Sequence, residues 1–545
     1  MGRMKNSLKK GSFRLWAMGA AAALGLWHVL DVRAAVLETG HTWLYGWYGL
    51  LLILGLGSLG IVASMLWGKR KWPVEGLFAV SVLLLGSLYM AVLPPLSAPD
   101  EISHFISSYE LSNRLLGQTA KNQDGYIYIR AQDAFIEDIH DVLDNEGGGY
   151  RDQEKEEEPV VLGQKLTEET YRFYHSGAPK EEVADSQSVS YQPDVRTTPL
   201  AYLPQALGIT LARLLGMGSL GLLFMGRFFN LLCYTAVGYA AVRRLPFGKE
   251  VFWASALLPM SLHLVSSYSY DAMLLAMSAL FTAVCLDLAF CEERVRGWDV
   301  AVLAAVMAVM GPCKMVYGAI AGFCLLIPVQ KFGGWGRWAL SAAAVLGAFA
   351  GAMMIVNSNT VAAYAQADEG YIAWAGQQGY TFSQLLHQPV HVLKMCYNTL
   401  MWQGEALYSG MIGGALGNQD AVINTPCIII LSFTAVLVLL VLKKPGQELH
   451  FTVHQKLWVW FICFAILGAL MFSMLLAWTP VSSNVIQGVQ GRYLLPLLPI
   501  FLLTLENKTA VRGTEDDRGI LFFAAAADVY VLFRLFAVVC LRIGG

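Results

Sequence analysis

The sequence predicts an all-α, polytopic membrane protein with about thirteen transmembrane helices, within a range of about 12 to 14, and three observations support this fold class. Of 545 residues, 56% are hydrophobic and only 14% are charged, against roughly 25% charged in an average soluble domain. Apolar runs of about 20 residues, the length that a hydrocarbon layer about 30 Å thick requires of a helix, recur along the chain. Lys and Arg residues cluster between these runs, as expected of cytoplasmic loops.

The candidate spans are apolar runs bounded by polar or charged segments, and some of them are short. They are Phe13–Leu30, Trp43–Trp67, Val74–Leu93, Leu220–Val242, Val251–Val265, Ala272–Phe290, Val300–Met310, Val316–Val329, Trp338–Val356, Ile423–Leu442, Leu457–Trp478, Tyr493–Leu505 and Ile520–Val539. The first follows several Lys and Arg residues and resembles a signal peptide, but its length and the spans after it favour an uncleaved anchor.

One apolar run, Leu200–Leu215, is predicted not to cross the membrane. It carries Gln205 and Arg213 and follows Pro199, which favours an amphipathic helix lying on the surface. With that choice, basic clusters such as Lys69-Arg70-Lys71 all fall on the cytoplasmic side. The segments predicted to face outward together are then 94–216, 266–271, the turn that holds Lys314, 357–422 and 479–492.

Charge is segregated along the chain. Of 40 acidic and 38 basic residues, 18 acidic and 8 basic ones lie between Gln118 and Thr198, which leaves 22 acidic and 30 basic residues elsewhere. A basic membrane part and an acidic insert indicate orientation in the membrane and give no support to nucleic-acid binding. Residues 96–199 are therefore predicted to form a large acidic extracytoplasmic loop after the third span. Its glycine-rich and glutamate-rich centre is expected to be mobile.

The first candidate site lies where the third span ends, in the string Pro94-Pro95-Leu96-Ser97-Ala98-Pro99-Asp100-Glu101-Ile102-Ser103-His104. On the helix that begins there, Glu101 and His104 share a face, as do Asp100 and His104. Such a cluster suits a divalent cation, Mg²⁺ or Mn²⁺, or a general base. The alternative is local: Ser97 and Asp100 also fit a capping box, and carboxylates in a first turn favour the helix dipole.

A second group consists of charges placed inside or at the edge of apolar runs: Arg227, Asp271, Lys314 and Arg492. Placing such a group in lipid costs about 2.5 to 3.5 kcal/mol on insertion scales, so each is expected to face a wet cavity or a partner. Three cations around one outer cavity would suit a phosphate or pyrophosphate group. Two alternatives stay open, namely that Arg227 pairs with Asp271 between helices and that Arg492 extends toward the membrane interface.

Several catalytic motifs are absent from the sequence. It contains no GxxxxGK[ST], GxSxG, HExxH or CxxCH string, so readings as an ATP-driven transporter, a GxSxG hydrolase, a zincin or a haem protein have no support. The nine cysteines include no CxxC pair and none lies in the acidic insert. Neither a disulfide framework nor a zinc site is predicted.

Four strings together resemble a bacterial family of membrane proteins catalogued as domain of unknown function 2142. They are the PPLSAPDEISH string of residues 94–104, Ser269-Tyr270-Asp271-Ala272, the lysine of Pro312-Cys313-Lys314, and Gln490-Gly491-Arg492-Tyr493-Leu494-Leu495-Pro496. The resemblance extends from about Leu77 to the carboxyl end. Its strongest parts are the PDE-xx-H and QGRY-xx-P strings.

That family looks like a branch of the GT-C glycosyltransferases, which take a sugar from a polyprenyl phosphate or pyrophosphate carrier at the outer membrane face. The resemblance implies a catalytic base or metal ligand at Asp100, assisted by Glu101 and His104. It implies carrier-phosphate and substrate contacts from residues in the other strings, namely Tyr270, Asp271, Lys314, Gln490, Arg492 and Tyr493. Arg227 is added to them because the stretch Thr198-Pro199-Leu200-Ala201-Tyr202 followed by Arg227 is similar to the second juxtamembrane helix and next span of those enzymes. Because Asp100-Glu101 is not a DxD motif, the resemblance does not establish whether a metal ion is needed.

The resemblance also implies a domain organisation. Residues 1–71 would form an N-terminal pair of extra transmembrane helices, and 72–356 a GT-C-like catalytic module that includes loop 96–199. Residues 357–422 would form a second extracytoplasmic loop, and 423–545 the C-terminal transmembrane helices. Multi-pass insertion in the bacterial cell membrane, with catalytic loops outside, is expected.

Three functions are compatible with these residues. The leading one is transfer of a sugar from a polyprenyl-phosphate-linked donor to an extracytoplasmic polysaccharide, glycolipid or protein. The second is a transporter or flippase of lipid-linked glycans, for which inverted repeats and broken helices are expected. The third is a scaffold that recruits partners through its acidic insert, which leaves the buried charges unexplained.

Overall fold

The computed structural model describes residues 42–138, 150–151, 159–160, 187–195, 197–358, 370–418, 425–446, 448–506, 510–512 and 515–541, together with short stretches between 26 and 37. Most of the predicted first span and the centre of the acidic insert, including its predicted mobile loop, lie outside these residues. Within them the protein is mostly helical, with three two-stranded antiparallel ladders. The predicted all-α class is therefore confirmed.

The described α-helices are numbered here in chain order. They are α1 Trp43–Trp67, α2 Val74–Val92, α3 Glu101–Leu115, α4 Pro199–Leu214, α5 Ser219–Arg244, α6 Lys249–Ala256, α7 Pro259–Val265, α8 Asp271–Phe290, α9 Gly297–Cys313, α10 Trp335–Val356, α11 Phe382–His387, α12 Pro389–Ile412, α13 Cys427–Val441, α14 Val453–Ala477, α15 Leu498–Thr504 and α16 Arg518–Leu541. Four longer 3-10 helices accompany them, at Ala131–Asp138, Met315–Leu326, Val329–Phe332 and Gly491–Leu494.

Among the described residues, seven helices are long and apolar enough to cross a membrane, namely α1, α2, α5, α8, α10, α14 and α16. Each coincides with a predicted span to within a few residues. The helix α9, the 3-10 helix Met315–Leu326 and α13 are apolar but shorter. The protein is thus a multi-pass membrane protein. The predicted surface run Leu200–Leu215 forms α4, a 16-residue helix that is not among the seven candidate spans, and its position at the membrane surface stays a prediction.

Two predicted spans are interrupted. The run Val251–Val265 forms two short helices, α6 and α7, because Pro259 begins the second one and its ring cannot continue the first. The run Tyr493–Leu505 is divided between a 3-10 helix and α15. The predicted loop 357–422 also differs from expectation, since it contains the 24-residue helix α12. The polar residues of α12 lower the mean hydropathy of this segment below that of a membrane span.

A layer of surface elements lies above the spans that carry the candidate site. The strand Ile127–Arg130 pairs antiparallel with Gln187–Ser190. Asn113 on α3 donates from Nδ2 to the Tyr128 carbonyl at 2.7 Å and accepts from Arg213 on α4 at 2.8 Å. These contacts fix α3, the strand Ile127–Arg130 and α4 to one another. The described ends of the acidic insert therefore pack against the same helices.

Close backbone approach fixes α4 against α5. A Cβ added at Gly208 would lie 2.4 Å from the Met225 carbonyl oxygen and 2.8 Å from the Gly226 Cα. A Cβ at Gly226 would lie 2.2 Å from the Tyr268 hydroxyl. Glycine is required at both positions because the neighbouring atoms belong to backbone or to a buried ring. The tight packing holds α4 beside the spans that position the candidate site.

The orientation predicted from the basic clusters has a direct test. In a background with Cys291→Ser and Cys427→Ser, we expect Asp124→Cys to react with a membrane-impermeant maleimide in intact cells. Lys69→Cys should react only after the membrane is opened. Labelling of Lys69→Cys in intact cells would contradict the predicted orientation.

Candidate functional site

The turn between α2 and α3 holds an unusual backbone. The helix α2 ends at Val92 before two prolines, and α3 begins at Glu101. Within the turn, Leu96 has φ 64° and Asp100 has φ 57°. Left-handed conformations of non-glycine residues cost on the order of 1–3 kcal/mol and persist where the surrounding structure requires them, often at functional sites. The turn therefore fixes Asp100 in a conformation that the chain would not adopt by itself.

The hydrogen bonds of this turn decide against the capping-box interpretation of Ser97 and Asp100. Ser97 donates from Oγ to the Pro94 carbonyl at 2.6 Å, and the Asp100 side chain makes no capping hydrogen bond to α3. Instead, the Ala98 N–H donates to Glu101 Oε2 at 2.9 Å. The Asp100 side chain is directed to another partner.

That partner is Arg492, which bridges two carboxylates from different parts of the chain. Its Nη2 lies 3.0 Å from Asp100 Oδ2, and its Nη1 lies 3.0 Å from Asp271 Oδ2. Its Nε donates to Gln490 Oε1. The Arg492 side chain is only 4% exposed, whereas that of Asp100 is 45% exposed. Asp100 is consequently the carboxylate of this group that an external molecule can reach.

Lys314 completes the group, which we call the ion cluster: Asp100, Asp271, Lys314 and Arg492. Its Nζ lies 3.1 Å from Asp271 Oδ1 and 3.8 Å from the centre of the Tyr493 ring. Lys314 follows the last residue of α9, where the chain changes to an extended conformation before the 3-10 helix. The interruption of the helix thus brings an ammonium group to Asp271, which stands in the first turn of α8.

The aromatic residues predicted to bind substrate flank this lysine. The Tyr270 ring lies 5.5 Å from Lys314 Nζ, somewhat farther than the Tyr493 ring. A cation within about 6 Å of a ring face is attracted by the ring quadrupole. The two rings therefore help to hold Lys314 in place while leaving its remaining hydrogens available to a ligand.

Glu101 faces away from the ion cluster although it follows Asp100 directly. Its side chain is 0% exposed, and its Oε1 accepts from the Tyr268 N–H at 2.9 Å. Arg227, also 0% exposed, places Nε 3.4 Å from the same oxygen and donates from Nη1 to the Leu93 carbonyl at 3.0 Å. The Glu101–Arg227 pair ties the turn to α5 and to the segment before α8.

This placement separates both residues from the ion cluster. Both side chains are fully buried, and the roles suggested for Glu101 in catalysis and metal binding and for Arg227 in phosphate binding stay predictions. The suggested pairing of Arg227 with Asp271 is replaced, because Asp271 pairs with Lys314 and Arg492. Adjacent residues at a helix start can project in different directions, which spacing alone did not reveal.

His104 lies one turn into α3 and is buried. Its Nδ1 is 2.6 Å from the Tyr202 hydroxyl of α4, and its ring meets that of Tyr270 edge-on at 5.0 Å. Burial lowers the pKa of His104 from its ordinary value to about 4, against the opposite influence of Asp100 and Asp271. The imidazole is therefore neutral at neutral pH. Tyr202 was not singled out as a site residue from the sequence.

Glycine is required immediately before Arg492. A Cβ added at Gly491 would lie 2.0 Å from the Leu407 carbonyl oxygen and 2.5 Å from the Met411 nitrogen, both backbone atoms of α12. The helix α12 thus lies directly against the 3-10 helix that carries Arg492. The contact sets the depth at which the guanidinium enters the ion cluster.

The structure brings together Asp100, Asp271, Lys314 and Arg492, with Gln490, Tyr270 and Tyr493 around them, and places His104 beside them. In the ranges that the structure describes, no three His, Cys, Asp or Glu side chains converge in an arrangement that could hold a metal ion. The divalent cation suggested for Asp100 and Glu101 stays a prediction.

Long apolar helices and a buried group of charges at an interrupted helix define a multi-pass integral membrane protein. Over residues 83–501 the chain matches the family described as "Predicted membrane protein (DUF2142)", and it belongs to that family. The resemblance carried by the PDE-xx-H and QGRY strings is confirmed. No match was found among curated proteins or among solved structures.

The close approach at Gly491 predicts a specific substitution effect. Gly491→Ala should lower the free energy of unfolding by about 1–3 kcal/mol or more, because overpacking against backbone forces a shift of the helix or of Arg492. Thermal unfolding of the protein in detergent measures the loss. The matched control is Gly404→Ala, on α12 itself, where a Cβ meets nothing within 4 Å. Equal melting temperatures for the two variants would contradict the packing described.

The buried imidazole predicts a pH dependence of stability. An unfolded histidine titrates near pH 6.5, whereas burial lowers the pKa of His104 to about 4. The contribution of neutral His104 to the free energy of unfolding is therefore complete above about pH 6.5 and is lost as the pH falls toward 4. The loss is about 3 kcal/mol at most. Melting temperatures measured from pH 7 to 4 should fall more steeply for the native protein than for His104→Gln. Parallel curves would show that His104 does not titrate in this way.

Proposed function

We propose that this protein is a GT-C-type glycosyltransferase that moves a sugar from a polyprenyl-phosphate-linked donor to an extracytoplasmic acceptor. The acceptor would be a cell-surface polysaccharide, a glycolipid or a protein. The proposal includes the finer features that the sequence suggests: about thirteen spans, a GT-C-like arrangement, and catalytic loops outside the bacterial cell membrane. One observation carries it, namely the half-exposed carboxylate of Asp100 held beside buried cations.

The environment of Asp100 supports the role of a general base. One of its oxygens is bound by Arg492. The other, Oδ1, accepts no hydrogen bond from the described part of the chain. A carboxylate that is oriented through one oxygen and open at the other can accept a proton from an incoming hydroxyl, provided the hydroxyl comes within about 2.6–3.2 Å.

In the proposed reaction, the acceptor hydroxyl oxygen attacks the anomeric carbon of the donor sugar as its proton passes to Asp100. The bond between that carbon and the carrier phosphate oxygen breaks, and the bonding pair leaves with the phosphate. Attack from the face opposite the leaving group inverts the anomeric centre. No oxidant or further reactant is required. The proton of the acceptor hydroxyl goes to Asp100, and the electron pair of the broken bond goes to the carrier phosphate.

The remaining members of the ion cluster would stabilise the leaving phosphate. Lys314 makes one ion pair, to Asp271, so its ammonium retains hydrogens for a phosphate oxygen. The three donor nitrogens of Arg492 are directed at Asp100, Asp271 and Gln490, so it acts mainly by holding both carboxylates in place and supplying positive charge. Lys314 is thus the first choice for phosphate contact.

A second candidate function is a transporter or flippase of lipid-linked glycans, and one observation favours it. Transporter sites are often built where membrane helices are interrupted, and Lys314 stands at the interruption after α9 while Arg492 lies in a 3-10 helix. This candidate uses the same cations without breaking a bond. Release of carrier phosphate distinguishes the two functions.

The enzyme proposal predicts that Asp100→Asn abolishes transfer without unfolding the protein. General-base assistance contributes about 10²- to 10⁴-fold, so turnover should fall by at least that range. The asparagine oxygen can still accept from Arg492. The measurement is release of carrier phosphate from polyprenyl-phosphate sugars by protein reconstituted in liposomes, with and without Mg²⁺ or Mn²⁺.

The matched control for that experiment is Asp124→Asn, the same change at an exposed turn of the outer layer. It should retain native turnover. Near-native phosphate release by Asp100→Asn would refute the base mechanism. Movement of a labelled lipid-linked glycan across the bilayer without phosphate release, in the native protein, would support the transporter instead.

A further inference from the structure

A polar cavity lies between α3 and α4, and Tyr202, the hydrogen-bond partner of His104, is one of its lining residues. It has a volume of about 370 Å³ and opens between α3, α4 and the segment that precedes α4. Ligand pockets commonly measure about 300–1,000 Å³, so this cavity is large enough for a small ligand. Its polar lining includes Glu110, Arg114, Lys121, Asp194, Thr197 and Tyr202.

The charged side chains that the structure describes in the cavity wall are balanced. Lys121 Nζ lies 2.8 Å from Asp194 Oδ2 and 3.4 Å from Glu110 Oε2, and Arg114 pairs with Glu110. Two carboxylates and two cations present hydrogen-bond acceptors and donors side by side. An anion would meet the two carboxylates and a cation the two basic groups, so a neutral molecule with many hydroxyl groups suits this wall best.

The cavity is connected to the ion cluster by side chains. Tyr202 belongs to its wall, and the Tyr202 hydroxyl lies 2.6 Å from His104 Nδ1. His104 in turn contacts Tyr270, the residue before Asp271.

The segment that closes the cavity is tied to both α3 and the Lys314 turn. The Val195 N–H donates to Ser107 Oγ at 2.8 Å, and Thr197 donates from Oγ1 to the Pro312 carbonyl at 3.0 Å. Pro312 lies two residues before Lys314. A molecule bound in the cavity therefore touches a segment that is anchored next to the ion cluster.

We propose that this cavity is a binding site for a neutral saccharide, and that the saccharide is the acceptor of the proposed sugar transfer. The role of the saccharide as an acceptor rests on the proposed sugar transfer. Saccharide binding itself depends only on the cavity. Tyr202 and His104 act as positioning residues between the two sites, and the carrier lipid is not expected to enter this cavity.

The test uses the full chain in nanodiscs, with a reporter cysteine at a cavity residue that makes no polar contact through its side chain. Leu111→Cys, in the Cys291→Ser and Cys427→Ser background, is labelled with a membrane-impermeant maleimide. The probes are oligosaccharide fragments of the host's own cell-surface polysaccharide and, separately, a serine-rich peptide. Polyprenyl phosphate binding is measured on the same samples by native mass spectrometry.

We expect the oligosaccharides to slow labelling at least tenfold and the peptide to have no effect. The double variant Glu110→Gln with Asp194→Asn should lose that protection, whereas Asp124→Asn should keep it. Polyprenyl phosphate binding should be equal in all of these proteins. A melting temperature for each variant separates lost binding from lost folding.

The outcomes distinguish this inference from the function proposed above. Absent protection by the oligosaccharides, or protection by the peptide alone, would overturn the saccharide site and leave the carrier chemistry standing. Protection that persists in the double variant would also overturn it. Oligosaccharide protection without any polyprenyl phosphate binding would sustain the cavity as a saccharide site and remove its role in sugar transfer.

Discussion

The bridge that Arg492 forms between Asp100 and Asp271 is the interaction on which the rest of the site depends. It joins a turn after α2, the start of α8 and a 3-10 helix near the end of the chain. Removing one partner of a buried ion pair typically costs about 3–5 kcal/mol because it leaves a charge without compensation. The left-handed turn at Asp100 and the close approach of α12 at Gly491 both serve to bring these three segments to one point.

The charge balance of the ion cluster defines what it can do. Two carboxylates and two cations, with a neutral imidazole nearby, leave no excess of either sign in the group. A phosphate would therefore share Lys314 with Asp271 and would not enter an empty basic pocket. The same balance recurs in the cavity near Tyr202. The two sites differ in burial, since Arg492 is almost inaccessible whereas the cavity wall is partly open to solvent.

Much of this arrangement follows from the sequence. Charges inside apolar runs are costly, so the sequence alone indicates that Asp271, Lys314 and Arg492 need partners. The long spans are also predictable, because apolar length is a direct requirement of the bilayer. The direction of the Glu101 side chain cannot be predicted, since it depends on the left-handed backbone of Asp100. The helix α12 cannot be predicted from hydropathy, because it contains many polar residues. Tyr202 gives no local signal, because its significance comes from packing against His104.

The separation of the bridged residues along the chain has a consequence for biogenesis. Asp100 and Arg492 are 392 positions apart, so the turn that carries Asp100 is synthesised long before its guanidinium partner. A nascent chain that ends before Arg492 would hold Asp100 without this counter-ion. The ion cluster is therefore assembled only after the segment that carries Arg492 has been made, and shortened chains would lack it.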